Sequence, residues 1–117
     1  VLGSHSESTG YAVLEALACG TMPIASDIPP FRALTGGGRV GALVTPGDAS
    51  GFAAAIVRLA AADRARLRRQ AREHFLRELS FAALGYRLVG IYHELLRQRR
   101  RPAGAAPLPA QLPGASP

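Results

Sequence analysis

Glycine and proline divide the first half of the chain into apolar segments too short for long helices, and this punctuation constrains the fold more than any other feature. Residues 12–19 are strong helix formers, with Val13, Leu14 and Leu17 available to one buried stripe and Gly20 where a helix-ending glycine is expected. Thr21 to Ser26 reads as a buried strand, in which Pro23 indicates an edge or an early position, and Asp27 follows at its end. Ile28-Pro29-Pro30-Phe31 reads as a loop, Gly36-Gly37-Gly38 as a flexible turn, and Val40 to Val44 as a second strand ended by Pro46-Gly47-Asp48. Asp48 is placed to cap a helix over about 49–61, with Phe52, Ile56 and Leu59 on one face. Asp63 caps another over about 64–79, and Ser80 opens a third through Leu84, Leu88, Ile91, Tyr92 and Leu95 to about Arg97. The alternation predicts an α/β layer with a mostly parallel sheet, closed by C-terminal helices.

The length of 117 residues suits one small domain, and 48% apolar content supplies a modest core. No apolar run approaches the roughly 20 residues that span a bilayer. The chain starts at Val1, and the expectation is a part of a longer polypeptide cut inside a folded unit, with residues 1–97 forming a partial domain. Residues 98–117 are expected to be an arginine-rich end and a Pro/Ala-rich disordered tail. A single cysteine excludes an internal disulfide framework and suits a cytoplasmic setting. The net charge of +6 comes from arginine without lysine and favours anionic partners.

The stretch "ESTGYAVLEALACG", residues 7–20, carries the chemistry. If a helix starts near Ala12, the amides of Gly10, Tyr11, Ala12 and Val13 point out of its N-terminus, a ready site for phosphate. Glu15 lies one turn inside, where its oxygens can accept from a ribose diol, and Glu7 faces the other end of the same ligand. A sugar nucleotide has the matching order of parts: ribose, diphosphate, sugar.

Glu7, seven intervening residues and Glu15, followed by "ALACGTMPIASD", resemble the E-x7-E segment of retaining family 4 glycosyltransferases. "GGGRVGALVTPGD" and the helix after it are similar to the donor-binding domain of that family, so the likeness covers about residues 4–95. The resemblance implies the second half of the C-terminal domain of a GT-B fold, a partial Rossmann-like parallel sheet with C-terminal helices. It implies Glu7 beside the donor sugar as the catalytic residue, Glu15 on the nucleotide ribose, and the amides of Gly10, Tyr11, Ala12 and Val13 on sugar and diphosphate. The family's usual glycine is replaced by Ser8, and the proline often found at the first helical position by Ala12. These departures bear on sugar preference.

The implied reaction is sugar transfer with retention, in which the diphosphate leaves from the front face and amide dipoles stabilise the leaving charge. No metal and no cofactor are implied. The implied partners are a nucleotide-sugar donor, a saccharide or lipid-linked acceptor, and an N-terminal domain of the same polypeptide that carries the acceptor site. Peripheral contact with the inner face of a membrane is a minority expectation, and nucleic acid is not an expected partner. The competing readings are a non-catalytic basic module that holds nucleic acid or an acidic membrane surface, and a nonfunctional truncated remnant.

Several residues have plainer readings. "SHSE" at 4–7 fits a capping box, which Gly10 follows too soon for a stable helix. His5 is placed either against sugar or acceptor or as a solvated or structurally bonded side chain. Asp27 reads as a turn residue before a cleft residue, Cys19 as a small core residue, and the arginines from Arg58 to Arg77 as the wet faces of two helices.

Overall fold

The computed structural model describes residues 1–99. The expected disordered tail from Pro102 lies outside the described residues. The chain divides into two compact units, the first Val1–Gly85 and the second beginning at Tyr86.

Two strands, β1 (Ile24–Ser26) and β2 (Ala42–Val44), pair in parallel with Ile24 opposite Ala42, Ala25 opposite Leu43 and Ser26 opposite Val44. Leu2 forms a parallel bridge with Ala25 on the other side of β1. Its N–H donates to the Ile24 carbonyl at 2.8 Å and its carbonyl accepts from Ser26 N–H at 2.9 Å. Strand β1 is therefore central among the described strands, so of the two readings of Pro23, edge or early position, the early one holds. The proline stands before the first paired residue, where no ladder donor is needed, and its carbonyl accepts from Ala42 N–H at 2.9 Å.

Both faces of this sheet are covered, as parallel sheets require. Successive residues point to opposite faces. On one side Ile24, Ala42 and Val44 pack with Ala55, Phe52 and Leu59 of α3 (Ala49–Ala60). On the other, Ala25 packs with Val13 and Leu17 of α1 (Tyr11–Ala18), Phe31 of α2 (Pro29–Thr35) and Ala71 of α4 (Arg64–His74). The expected α/β class holds. In α3, however, Ala55 takes the buried place beside Phe52 and Leu59, while Ile56 is 46% exposed.

Helix α2 replaces the loop expected at Ile28–Phe31. Pro29 and Pro30 occupy its first turn, where a missing N–H breaks no helical bond and the fixed φ suits a helix. Ile28 is extended at φ −124°, ψ 156°, the conformation favoured before proline. Gly36, at φ 62°, ends the helix in the left-handed region. Thr35 is fully buried in the last turn, its hydroxyl donating to the Phe31 carbonyl at 2.7 Å and accepting from Gly38 N–H at 3.1 Å.

The helices after β2 follow the expected caps. Asp48 accepts from Gly51 N–H at 2.9 Å, and Asp63 accepts from Ala65 and Arg66 N–H at 2.9 and 3.1 Å. Helix α4 passes into a π-helical turn, Phe75–Leu79, closed by Ser80 N–H on the Phe75 carbonyl at 2.8 Å. Leu67, Ala71 and His74 form the inward side of α4, and the buried His74 ring meets the Leu34 carbonyl at 2.8 Å. The last helix, α5, spans Phe81–Arg99.

Candidate functional site

The loop after Leu2 leads to α1, so the N-terminus of α1 lies at the carboxyl edge of the parallel strands, where open α/β sheets place ligands. Gly10 fixes this end. It is buried, at φ 73° and ψ 40°, and a Cβ there would stand 2.8 Å from Phe31 Cε1 and 3.1 Å from Leu34 Cδ1. Helix α2 thus packs directly against the turn from which α1 departs. Only glycine satisfies both the left-handed backbone and this close approach.

The Gly10 carbonyl accepts from Val13 N–H at 3.0 Å and Leu14 N–H at 3.2 Å. Of the four amides expected to be free, Val13's is therefore already used, and its side chain is wholly in the core. The N–H groups of Gly10, Tyr11 and Ala12 have no acceptor among the described residues. Three such donors at the positive end of a helix have the chemistry that suits an anion.

The two carboxylates are both exposed. Glu15 is on the face opposite the Val13–Leu17 stripe and one turn along from Tyr11, which is 67% exposed. Glu7 accepts from the Ser4 hydroxyl at 2.9 Å. The ends of the discounted capping box do meet, through side chains alone and with no helix between them. The clasp orients Glu7 Oε1 and leaves Oε2 for a ligand. Ser8 has negative φ, as has every other non-glycine residue described, so this loop does not require the usual glycine there.

His5 belongs to the same edge: a Cβ on Gly47, in the turn after β2, would lie 3.8 Å from His5 Cε1. Asp27, at the end of β1, is engaged by a guanidinium fork, Arg32 Nε at 2.5 Å and Nη2 at 2.8 Å. That hydrogen-bonded cation holds the Asp27 carboxyl below its ordinary value, and the carboxylate in turn raises Arg32. Asp27 therefore anchors the start of α2. Cys19 corrects a further expectation: it is an exposed free thiol beyond the end of α1, because the buried stripe stops at Leu17. The arginines at 58, 64, 66, 68, 69, 72 and 77 are all exposed, as expected of wet helix faces. No cluster of three or more potential metal ligands occurs among the described residues. Among them too, no helix is long and apolar enough to cross a membrane.

Sequence reasoning missed Phe31 and Leu34 as the residues that press on Gly10. The signal was present in the Pro29-Pro30 pair, which marks a helix start as readily as a loop.

The family profile described as "Glycosyl transferases group 1" matches residues 1–74, more than half of the chain. The chain belongs to this family. Among its glycosyl transferase relatives, the phosphatidyl-myo-inositol mannosyltransferase of Mycolicibacterium smegmatis is 45% identical over 51 residues, which is 44% of this chain and 13% of that protein. The enzyme of the same description from Mycobacterium leprae is 45% identical over 53 residues, 45% of this chain and 14% of that protein. The D-inositol 3-phosphate glycosyltransferase of Acidothermus cellulolyticus is 35% identical over 104 residues, 88% of this chain and 23% of that protein. The chain thus spans less than a quarter of the length of these group 1 relatives.

Proposed function

We propose that this chain forms the donor-binding half of a retaining glycosyltransferase site that uses a nucleotide sugar. The observation that carries the reading is the buried left-handed Gly10, which opens α1 with unused N–H groups at Gly10, Tyr11 and Ala12 between two exposed carboxylates. The donor diphosphate rests on those amides, Glu15 accepts from the ribose hydroxyls, and Glu7 Oε2 faces the sugar. As the glycosidic bond breaks, charge grows on the diphosphate. Fixed N–H dipoles stabilise that charge without reorganising, an effect of about 3 kcal/mol per donor in comparable oxyanion sites. No step draws on a metal or cofactor.

The acceptor surface is supplied by other parts of a longer polypeptide. The names of the three relatives all specify an inositol-bearing molecule, so inositol derivatives, free or lipid-borne, are the first acceptors to try. In this reading the protein works in the cytoplasm, with peripheral contact at the inner membrane face when the acceptor is a lipid.

The test is calorimetry of donor binding to the active enzyme. Glu15→Ala removes a charged acceptor and is expected to weaken binding by about 1.5–3 kcal/mol. An unchanged dissociation constant removes Glu15 from the site.

A further inference from the structure

At the other end of α1 lies a second concavity, with different chemistry. The last turn of α1 and the side of α4 enclose an open groove of about 470 Å³, lined by Cys19, Gly20, Arg68, Arg69, Arg72 and Glu73 together with Ala18. This volume falls within the range of roughly 300–1,000 Å³ typical of small-molecule sites. Its floor is formed by a close approach of two backbones. Gly20 stands at φ 72°, and a Cβ there would lie 3.2 Å from the Arg68 carbonyl oxygen.

The charges on its walls are unequal. Three arginines line the groove, against one acid, Glu73. Neither Arg68 nor Arg69 is within ion-pair distance of a carboxylate among the described residues. Asp63 is near enough to feel Arg69, but its hydrogen-bonded oxygen, Oδ1, caps α4 through the amides of Ala65 and Arg66, and no ion pair joins the two side chains. Arg72 is held in place from two sides: Nη1 donates to the Ala18 carbonyl at 2.5 Å, and the guanidinium carbon lies 5.4 Å from the centre of the Phe75 ring. Its remaining N–H groups are thereby ordered in advance, which reduces the entropy lost on binding.

We infer that this groove binds a compact phosphate-bearing anion, a phosphomonoester or a diphosphate. Arginine forks match phosphate oxygens in pairs, and a fixed arginine beside two unpaired ones supplies both geometry and charge. The site is distinct from the proposed donor site, because the eight residues of α1, roughly 12 Å of helix, separate them. Glu73 opposes the bound charge and limits affinity, which gives the proposal a test of sign.

Cys19, the single cysteine of the chain, lines the groove and is exposed, so its alkylation rate reports occupancy. The experiment measures alkylation of the Cys19 peptide by mass spectrometry at constant ionic strength, with inorganic pyrophosphate, glycerol 3-phosphate, or vesicles of phosphatidic acid against phosphatidylcholine. Saturable protection is expected with pyrophosphate. Arg68→Gln with Arg69→Gln should weaken it roughly tenfold or more, while Glu73→Gln should tighten it roughly threefold. All three side chains are exposed, and unchanged circular dichroism confirms that the variants fold. Protection by glycerol 3-phosphate but not by phosphatidic acid vesicles assigns a soluble ligand. The reverse assigns a lipid headgroup. Absence of protection by any of these anions, equal protection by chloride, or equal protection in the double variant overturns the proposal.

Discussion

At Gly10 one missing methyl group decides two things at once. A Cβ there meets Phe31 at 2.8 Å, and the backbone at φ 73° is one that side chains rarely adopt. Gly10→Ala should therefore lower stability by about 2–5 kcal/mol, from left-handed strain of about 1–2 kcal/mol and overpacking of about 1–3 kcal/mol. Donor affinity should fall with it, since the same strain turns the amides of Tyr11 and Ala12. Urea unfolding and calorimetry check both; a neutral variant would mean that Phe31 does not hold this turn. Glu7→Gln keeps the volume and removes the charge, so turnover should fall more than affinity for the sugar-free nucleotide. Equal losses would move Glu7 to the nucleotide. The position of the two acids on either side of a helix start was legible in the sequence, although their spacing alone is a weak signal without the segment that follows. Val13's occupied amide and the Ser4 clasp on Glu7 were not, since both depend on which hydrogen bonds a turn chooses once it has formed.

Among the elements, α3 and α4 were legible at their starts, because an aspartate before an apolar or alternating run is a strong local signal. Helix α2 was not. Its proof lies in Phe31 and Thr35, whose burial is a fact of packing and cannot be read from a Pro-Pro pair. The caps also set an acid limit. Backbone N–H bonds to Asp48 come mainly from Gly51 and those to Asp63 mainly from Arg66, and both carboxyls are held below the ordinary value of 3.8. Asp27, held down by Arg32, joins them. A depressed folded-state value means that each contribution is complete above the unfolded value and is lost as pH falls through the folded one. The contribution of these three carboxyls to stability should therefore be constant above about pH 5 and decline progressively below it. Thermal melts across pH 2–7 test this, and Asp48→Ala with Asp63→Ala should flatten the decline; an unchanged slope in that double variant would assign it to other groups.

For the whole molecule, the order of elements was readable because glycine and proline mark the boundaries as far as α3 and Asp63 and Ser80 mark those after it, whereas sheet order was not. Leu2 carries no strand signal by itself, yet it makes β1 a central strand. The relatives are more than four times as long as the portion matched here. On the proposed reading, the 117-residue chain alone should transfer no sugar, because one wall of a cleft does not place donor and acceptor in reacting geometry. Incubation with nucleotide sugars and inositol acceptors, monitored by nucleoside diphosphate release, measures this. Acceptor-dependent product from the chain alone would show that it holds both half-sites.

The bridge at Leu2 sets a mechanical condition on the residues that follow it. Leu2 is stitched to β1 by two hydrogen bonds, and Gly10 is wedged under Phe31, so residues 3–9 form a span tethered at both feet. Such a span can bow without loosening the sheet or tilting α1. Glu7 rides near its crest, steadied by Ser4, while Glu15 sits on the rigid helix beyond it. On the proposed reading, a donor would therefore meet a fixed grip at the ribose and a compliant one at the sugar, so sugars of different shape would be accommodated by motion of the span while the nucleotide stays in register.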